Sequence, residues 1–228
     1  MKTNLLSVNA DAKTSKGNTG FLTGILYLVP AGQAGLKNLC PKASEGCKLA
    51  CLYTAGRGKL NMVQEARIKK TEFFLKDRKS FLDILKSDFR ILEIQAKEQG
   101  LKAAVRLNGT SDIAFHKLID MESYPNIQFY DYTKVVTKAL DYANGKLPKN
   151  YYVVFSRSES NWSDCIKVLN AGGNVAAVFK DKLPNTYARY PVLDGDKNDA
   201  RFLDEKGCII GLKAKGDAKK DKSGFVIG

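Results

Sequence analysis

The chain has 228 residues, 44% of them hydrophobic, and 37 lysines and arginines against 24 acidic residues give a formal charge of +13. That length supports one sizeable core, and the charge fits an anionic ligand, a nucleic acid, or a lysine-rich solvated surface. The single histidine, His116, excludes a site built from several imidazoles, and five cysteines suit a disulfide framework poorly. No apolar run approaches a membrane span and the N-terminus lacks a signal-peptide core, so a cytoplasmic protein without membrane contact is expected.

Residues 1–20 are small and polar and read as a loose N-terminal arm on a single domain covering 1–228. Thr23 to Pro30 is an apolar run of strand formers, closed by Pro30 and Gly32. The loop 38–58 follows it and carries Cys40, Cys47 and Cys51. Cys47 and Cys51 are four apart, which on a helix places them on one face, and Cys40-Pro41 lies in a loop that can fold back toward them. Three thiolates converging on one point form an incomplete cage. Structural zinc takes four protein ligands, whereas a [4Fe-4S] cluster held by three leaves one iron for an outside ligand. Zinc remains the alternative, with His116 or an aspartate as fourth ligand.

Leu60 to Gln99 has apolar residues at three- and four-residue steps and ends at Gly100. It reads as two helices broken near Asp77-Arg78-Lys79-Ser80. Strands and helices then alternate. Strands are expected at 102–108, 126–131, 151–156, 174–179, 191–194 and 208–212, and helices near 114–121, over 135–143 and over 161–170. Repeated β–α units with apolar strands imply a mostly parallel sheet covered by helices. About seven strands suit a partial or complete (β/α) barrel, with a doubly wound open sheet as the alternative.

Polar residues gather after the strands: Asn108, Thr110 and Asp112; Asp131 and Lys134; Ser156, Arg157 and Glu159; Asp194; Lys213. Carboxyl ends of parallel strands point to one side, and ligands bind there. These residues are therefore expected to ring the cysteine loop and bind a small or anionic ligand at the open iron. The competing reading of Asp112 and Asn161 is helix capping. A nucleic-acid-processing protein is a further alternative, with Asp194, Asp196 and Asp199 joining Asp112 or Asp131 around Mg²⁺. Cys165 and Cys208 read as packed thiols.

A first strand, a tri-cysteine loop and a second strand ending in a glycine motif resemble the radical SAM enzymes. Those are partial (β/α) barrels that bind a [4Fe-4S] cluster on three cysteines and S-adenosylmethionine on the open iron. Their usual spacing is C-x3-C-x2-C; here it is Cys40-x6-Cys47-x3-Cys51. The resemblance implies S-adenosylmethionine as a second ligand, with Asn108 or Asp112 substituting for the acidic residue that holds its amino group. Nearly the whole chain also resembles the phage-encoded gene 88 protein family. The strings that carry this include Cys40-Pro41-Lys42-Ala43-Ser44, Arg106-Leu107-Asn108-Gly109-Thr110-Ser111-Asp112 and Phe155-Ser156-Arg157-Ser158-Glu159. That second resemblance implies a viral origin and the host cytoplasm, and it brings no assigned reaction.

Overall fold

Apolar runs of five to seven residues, buried on both faces, build the middle of a ten-stranded sheet. The computed structural model describes residues 3–8, 13–14 and 19–228. Its strands are β1 (Ser7–Val8), β2 (Phe21–Ile25), β3 (Lys102–Arg106), β4 (Ile127–Thr133), β5 (Tyr151–Ser156), β6 (Asn174–Phe179), β7 (Thr186–Tyr187), β8 (Tyr190–Asp194), β9 (Ile209–Lys213) and β10 (Val226–Ile227). The α-helices are α1 (Glu45–Leu49), α2 (Asn61–Lys76), α3 (Arg78–Glu98), α4 (Val136–Ala143) and α5 (Trp162–Asn170). Among the described residues no helix is long and apolar enough to cross a membrane.

The order across the sheet is β1-β2-β3-β4-β5-β6-β9-β8-β7, with β10 beside β6. From β2 to β6 each strand lies parallel to its predecessor, and β9 continues the series beside β6. With β8 parallel to β9 and β10 parallel to β6, eight carboxyl ends share one edge. A closed barrel does not form among the described residues. The two ends of the sheet are the short strands β1 and β7, each antiparallel to its neighbour, and they blunt the edges instead of joining. The sheet is open, as in the alternative arrangement.

Side-chain alternation divides the core. Phe74, Phe81, Leu85, Phe89 and Leu92 of α2 and α3 pack on Val105, Phe129 and Val153, while Cys165 and Val168 of α5 pack with Phe155, Val175 and Ile209. On the opposite face Ala104, Tyr130, Val154, Ala176 and Ile210 form their own cluster with Phe202. The expected break between α2 and α3 falls at Asp77, whose carboxylate accepts from Ser80 N–H at 3.0 Å.

Two expectations are corrected. The segment near 114–121 makes two 3-10 turns, Phe115–Lys117 and Met121–Ser123. Asn108 ties down the Ile113 N–H, and the residue before Pro125 is disfavoured from helix, so too little free chain remains for an α-helix. The arm is not loose over Thr3–Val8. Buried Asp88 accepts from the N–H groups of Asn4, Leu5 and Leu6 at 2.8, 2.6 and 2.9 Å, and β1 pairs with β2. Residues 1–2, 9–12 and 15–18 of the arm lie outside the described residues.

Candidate functional site

The cysteine segment is held by residues distant in sequence. Ser44 caps α1, accepting from Cys47 N–H at 3.3 Å, and its own hydroxyl donates to Glu159 at 2.7 Å. The other Glu159 oxygen accepts from Gly46 N–H at 3.0 Å. Gly46 must lack a side chain, because a Cβ there would stand 2.8 Å from Cβ of Phe225. The segment before β10 is fixed in turn by Arg157, whose Nη1 donates to the carbonyls of Gly224 and Phe225 at 2.9 and 2.8 Å. Cys47 lies on α1, but the helix stops at Leu49, so Cys51 sits in extended backbone just beyond it.

Cys40, Cys47 and Cys51 line one cavity of about 240 Å³ at the carboxyl edge of the sheet. None of the three forms a disulfide among the described residues. Burial pushes the Cys40 thiol up to about 12 and raises those of Cys47 and Cys51, so the metal-free thiols are protonated at neutral pH. Lys134 hydrogen-bonds Cys47 and opposes its rise. The expected convergence on a single point is not seen. Among the described residues no group of three or more His, Cys, Asp or Glu stands close enough to hold a metal ion. Each thiol answers to a different neighbour: Cys40 to the Thr110 carbonyl at 3.5 Å, Cys47 to Lys134, Cys51 to the Tyr53 N–H. Zinc needs its ligands around one centre at about 2.3 Å for sulfur. A cluster is less demanding, because each thiolate takes a different iron. His116, the expected fourth zinc ligand, stacks on Tyr151 at 5.8 Å and does not line the cavity.

Asn108, Thr110, Asp112, Lys134, Ser156, Arg157 and Lys213 line the same cavity, as expected. Asp131, Glu159 and Asp194 do not. Asp131 is fully buried inside β4, where it accepts from Asn108 N–H at 2.7 Å, Asn108 Nδ2 at 2.9 Å and the Tyr151 hydroxyl at 3.0 Å. Burial raises its pKa. Glu159 holds α1, and Asp194 is exposed and caps a turn through Asp196 N–H. The lining Asn108 and Asp112 are also committed. Asn108 Oδ1 accepts from Ser111 and Ile113, and Asp112 accepts from Thr133 Oγ1 and Lys134 N–H. Asn108 is saturated by these bonds, and Asp112 already accepts three. Asp196 and Asp199 face cations: Lys13 and Lys215 for the first, Arg106 for the second, and the Tyr130 hydroxyl at 2.7 Å also donates to Asp199. The Mg²⁺ arrangement expected of these aspartates is therefore not assembled.

Arg106, Tyr132, Lys13 and Lys215 also line the cavity and were absent from the expected ligand set. Arg106 was the legible one, a charge ending an apolar strand. Its guanidinium lies 4.6 Å over the Tyr132 ring and 3.2 Å from Asp199. Lys13 has no local signal in sequence. In all, six cationic side chains line the cavity against three carboxylates. Tyr132, Ala176 and Leu212 come from the sheet face turned away from α3, α4 and α5.

Fold and site define an α/β protein with an open, mostly parallel sheet and a cationic, thiol-lined cavity at its strand ends. The chain belongs to the gene product 88 family, a family of phage gene products, whose model matches residues 3–228. No curated protein and no solved structure matches it.

Proposed function

We propose that Cys40, Cys47 and Cys51 hold a [4Fe-4S] cluster whose remaining iron faces the cavity and takes a small anionic ligand. The observation that carries this reading is the placement of three cysteines, none of them in a disulfide, on one cavity wall amid a surplus of positive charge. Three thiolates around a positive iron-sulfur core leave a net negative charge, which that surplus suits. When bound, such a cluster supplies one-electron chemistry and an open iron as a Lewis acid.

The surrounding residues have definable tasks. Lys134 donates toward Cys47, which favours the thiolate. Arg67, held between the rings of Tyr27 and Tyr53 at 4.8 and 5.3 Å, adds positive charge near Cys51. Ala50, Ala214, Ala218 and Phe225 form a small apolar cluster with Cys47 that limits water at that sulfur. The consecutive order β2 to β6, with helices on one face and the cavity on the other, supports a partial-barrel reading of the sheet. S-adenosylmethionine is one ligand to test at the open iron, and its amino group would need partners other than Asn108.

Anaerobically purified protein should be brown, contain iron and sulfide, and bleach with dithionite. Cys47→Ser should abolish the colour and Cys165→Ser should keep it. Colour that survives Cys47→Ser, or protein free of iron and sulfide after anaerobic reconstitution, would refute the assignment. Titration of the reconstituted protein with S-adenosylmethionine, followed by the cluster's spectrum, tests that ligand separately.

A further inference from the structure

The cations of the cavity are unequally matched. Asp196 takes Lys13 and Lys215 at 2.8 and 2.7 Å, Asp199 takes Arg106 at 3.2 Å, and Asp112 lies 3.7 Å from Lys138. Lys134, Arg157 and Lys213 line the cavity with no carboxylate within 4 Å of their charged groups among the described residues, Lys134 acting on Glu159 only from farther away. Lys134 Nζ donates to the Arg157 carbonyl at 3.2 Å. Arg157 Nη1 meets two carbonyls, and its Nε is buried without a partner among the described residues. Carbonyls orient a guanidinium but leave its charge uncancelled.

Position narrows the ligand. Arg157 N–H donates to the Ala176 carbonyl and Lys213 pairs with Phe179, so the two residues flank β6 from opposite sides. Two strand spacings across β6 and two residues along it put their backbones about 12 Å apart, a gap that two long side chains can close around one anion. Ala176, Val178 and Leu212 contribute apolar lining to the same cavity. A carboxylate is satisfied by one bidentate arginine. A phosphate ester brings a charge of about −1.5 to −2 and three acceptor oxygens. A cavity of about 240 Å³ also falls just below the usual range for drug-sized ligands, so the ligand must be small.

We propose that this cavity binds a small phosphate ester, its phosphate held between Arg157 and Lys213 with Lys134 on the side toward the cysteines. The inference rests on the cavity invoked for the cluster but does not need the cluster itself. The test is calorimetric titration of the full chain, iron-free and reconstituted, with phenyl phosphate and, at matched ionic strength, with benzoate. Saturable one-to-one binding of phenyl phosphate is expected, at least tenfold tighter than benzoate. Lys213→Met, at an exposed position, should weaken it at least tenfold. Lys167→Met, which removes the same charge from the exposed face of α5, should leave it unchanged. Absence of saturable binding, equal affinity for benzoate, or equal weakening by the two variants would overturn the proposal. Equal weakening would mean a diffuse positive surface, of the kind that binds nucleic acid. Missing iron and sulfide would defeat the cluster reading alone, because the iron-free titration is independent of it.

Discussion

Asp112→Ala should unfold the chain more readily, for a reason the ligand-site expectation did not contain. Asp112 is the only carboxylate within 4 Å of Lys138 Nζ among the described residues, at 3.7 Å, and the Lys138 side chain is 5% exposed. Lys138 Nζ has no hydrogen-bond partner among the described residues, so its charge is balanced only through space, by Asp112 first and then by Asp131 and the Tyr151 ring. Removing one member of a buried ion pair costs about 3–5 kcal/mol, because the survivor is left uncompensated. Asp131 remains in the field of Lys138 and moderates the loss, which places the expected value near the lower limit, about 3 kcal/mol. Asp112→Asn keeps an acceptor for Thr133 and Lys134 but discards the charge, so it should fall between wild type and the alanine variant. Adding Lys138→Met to Asp112→Asn removes both charges and keeps an aliphatic chain against the Tyr151 ring, so it should recover most of the loss. Urea denaturation followed by circular dichroism measures all four proteins. A cost below about 1 kcal/mol for Asp112→Ala, or no recovery in the double variant, would refute this account.

Three other outcomes are expected. Gly46→Ala should cost about 1–3 kcal/mol, since Cβ of Phe225 has no flexible end with which to yield at 2.8 Å; an unchanged melting temperature would contradict the close packing of α1 on the C-terminal segment. In metal-free protein at pH 8, Cys40 should react with iodoacetamide about a thousandfold more slowly than a thiol of ordinary pKa 9.0, because burial pushes its own up to about 12. Peptide mapping by mass spectrometry measures this, and alkylation at the rate of a free thiol would show that Cys40 is solvated. Burial opposes ionisation of Asp196, but hydrogen bonds from Lys13, Lys215 and the Lys213 N–H outweigh it and hold the carboxyl below its ordinary 3.8. A folded pKa below the unfolded one contributes stability above pH 3.8 that is lost as pH falls through the folded value. Asp196→Asn should therefore flatten the acid limb of stability below about pH 4 and cost about 1 kcal/mol at pH 7; parallel curves for variant and wild type would exclude the contribution.

Strand–helix alternation from Ile127 to Phe179 was legible because strands buried on both faces read as continuous apolar runs. The α2–α3 break was legible because Asp77 caps locally. The two-residue strands β1, β7 and β10 were not, since so short a segment has no periodicity and exists only through its partner. The cysteine loop announced itself by composition, and its three thiols do share a cavity. Cys51 escaped the helix because the Cys47–Cys51 spacing says nothing of where α1 ends.

What the sequence determined by itself was the edge of the sheet on which polar chemistry gathers, since parallel strands send their carboxyl ends, and the loops after them, one way. Which residues there face the cavity was decided only by tertiary structure. Alternation along a strand has a period of two, so β4 running on to Thr133 is enough to turn Asp131 into the core and leave Tyr132 on the cavity side. Glu159 reaches Gly46 across 113 residues, and Lys13 reaches Gly195 across 182. Contacts of that length leave no local pattern, because the energy that selects them exists only after the sheet has brought the segments together.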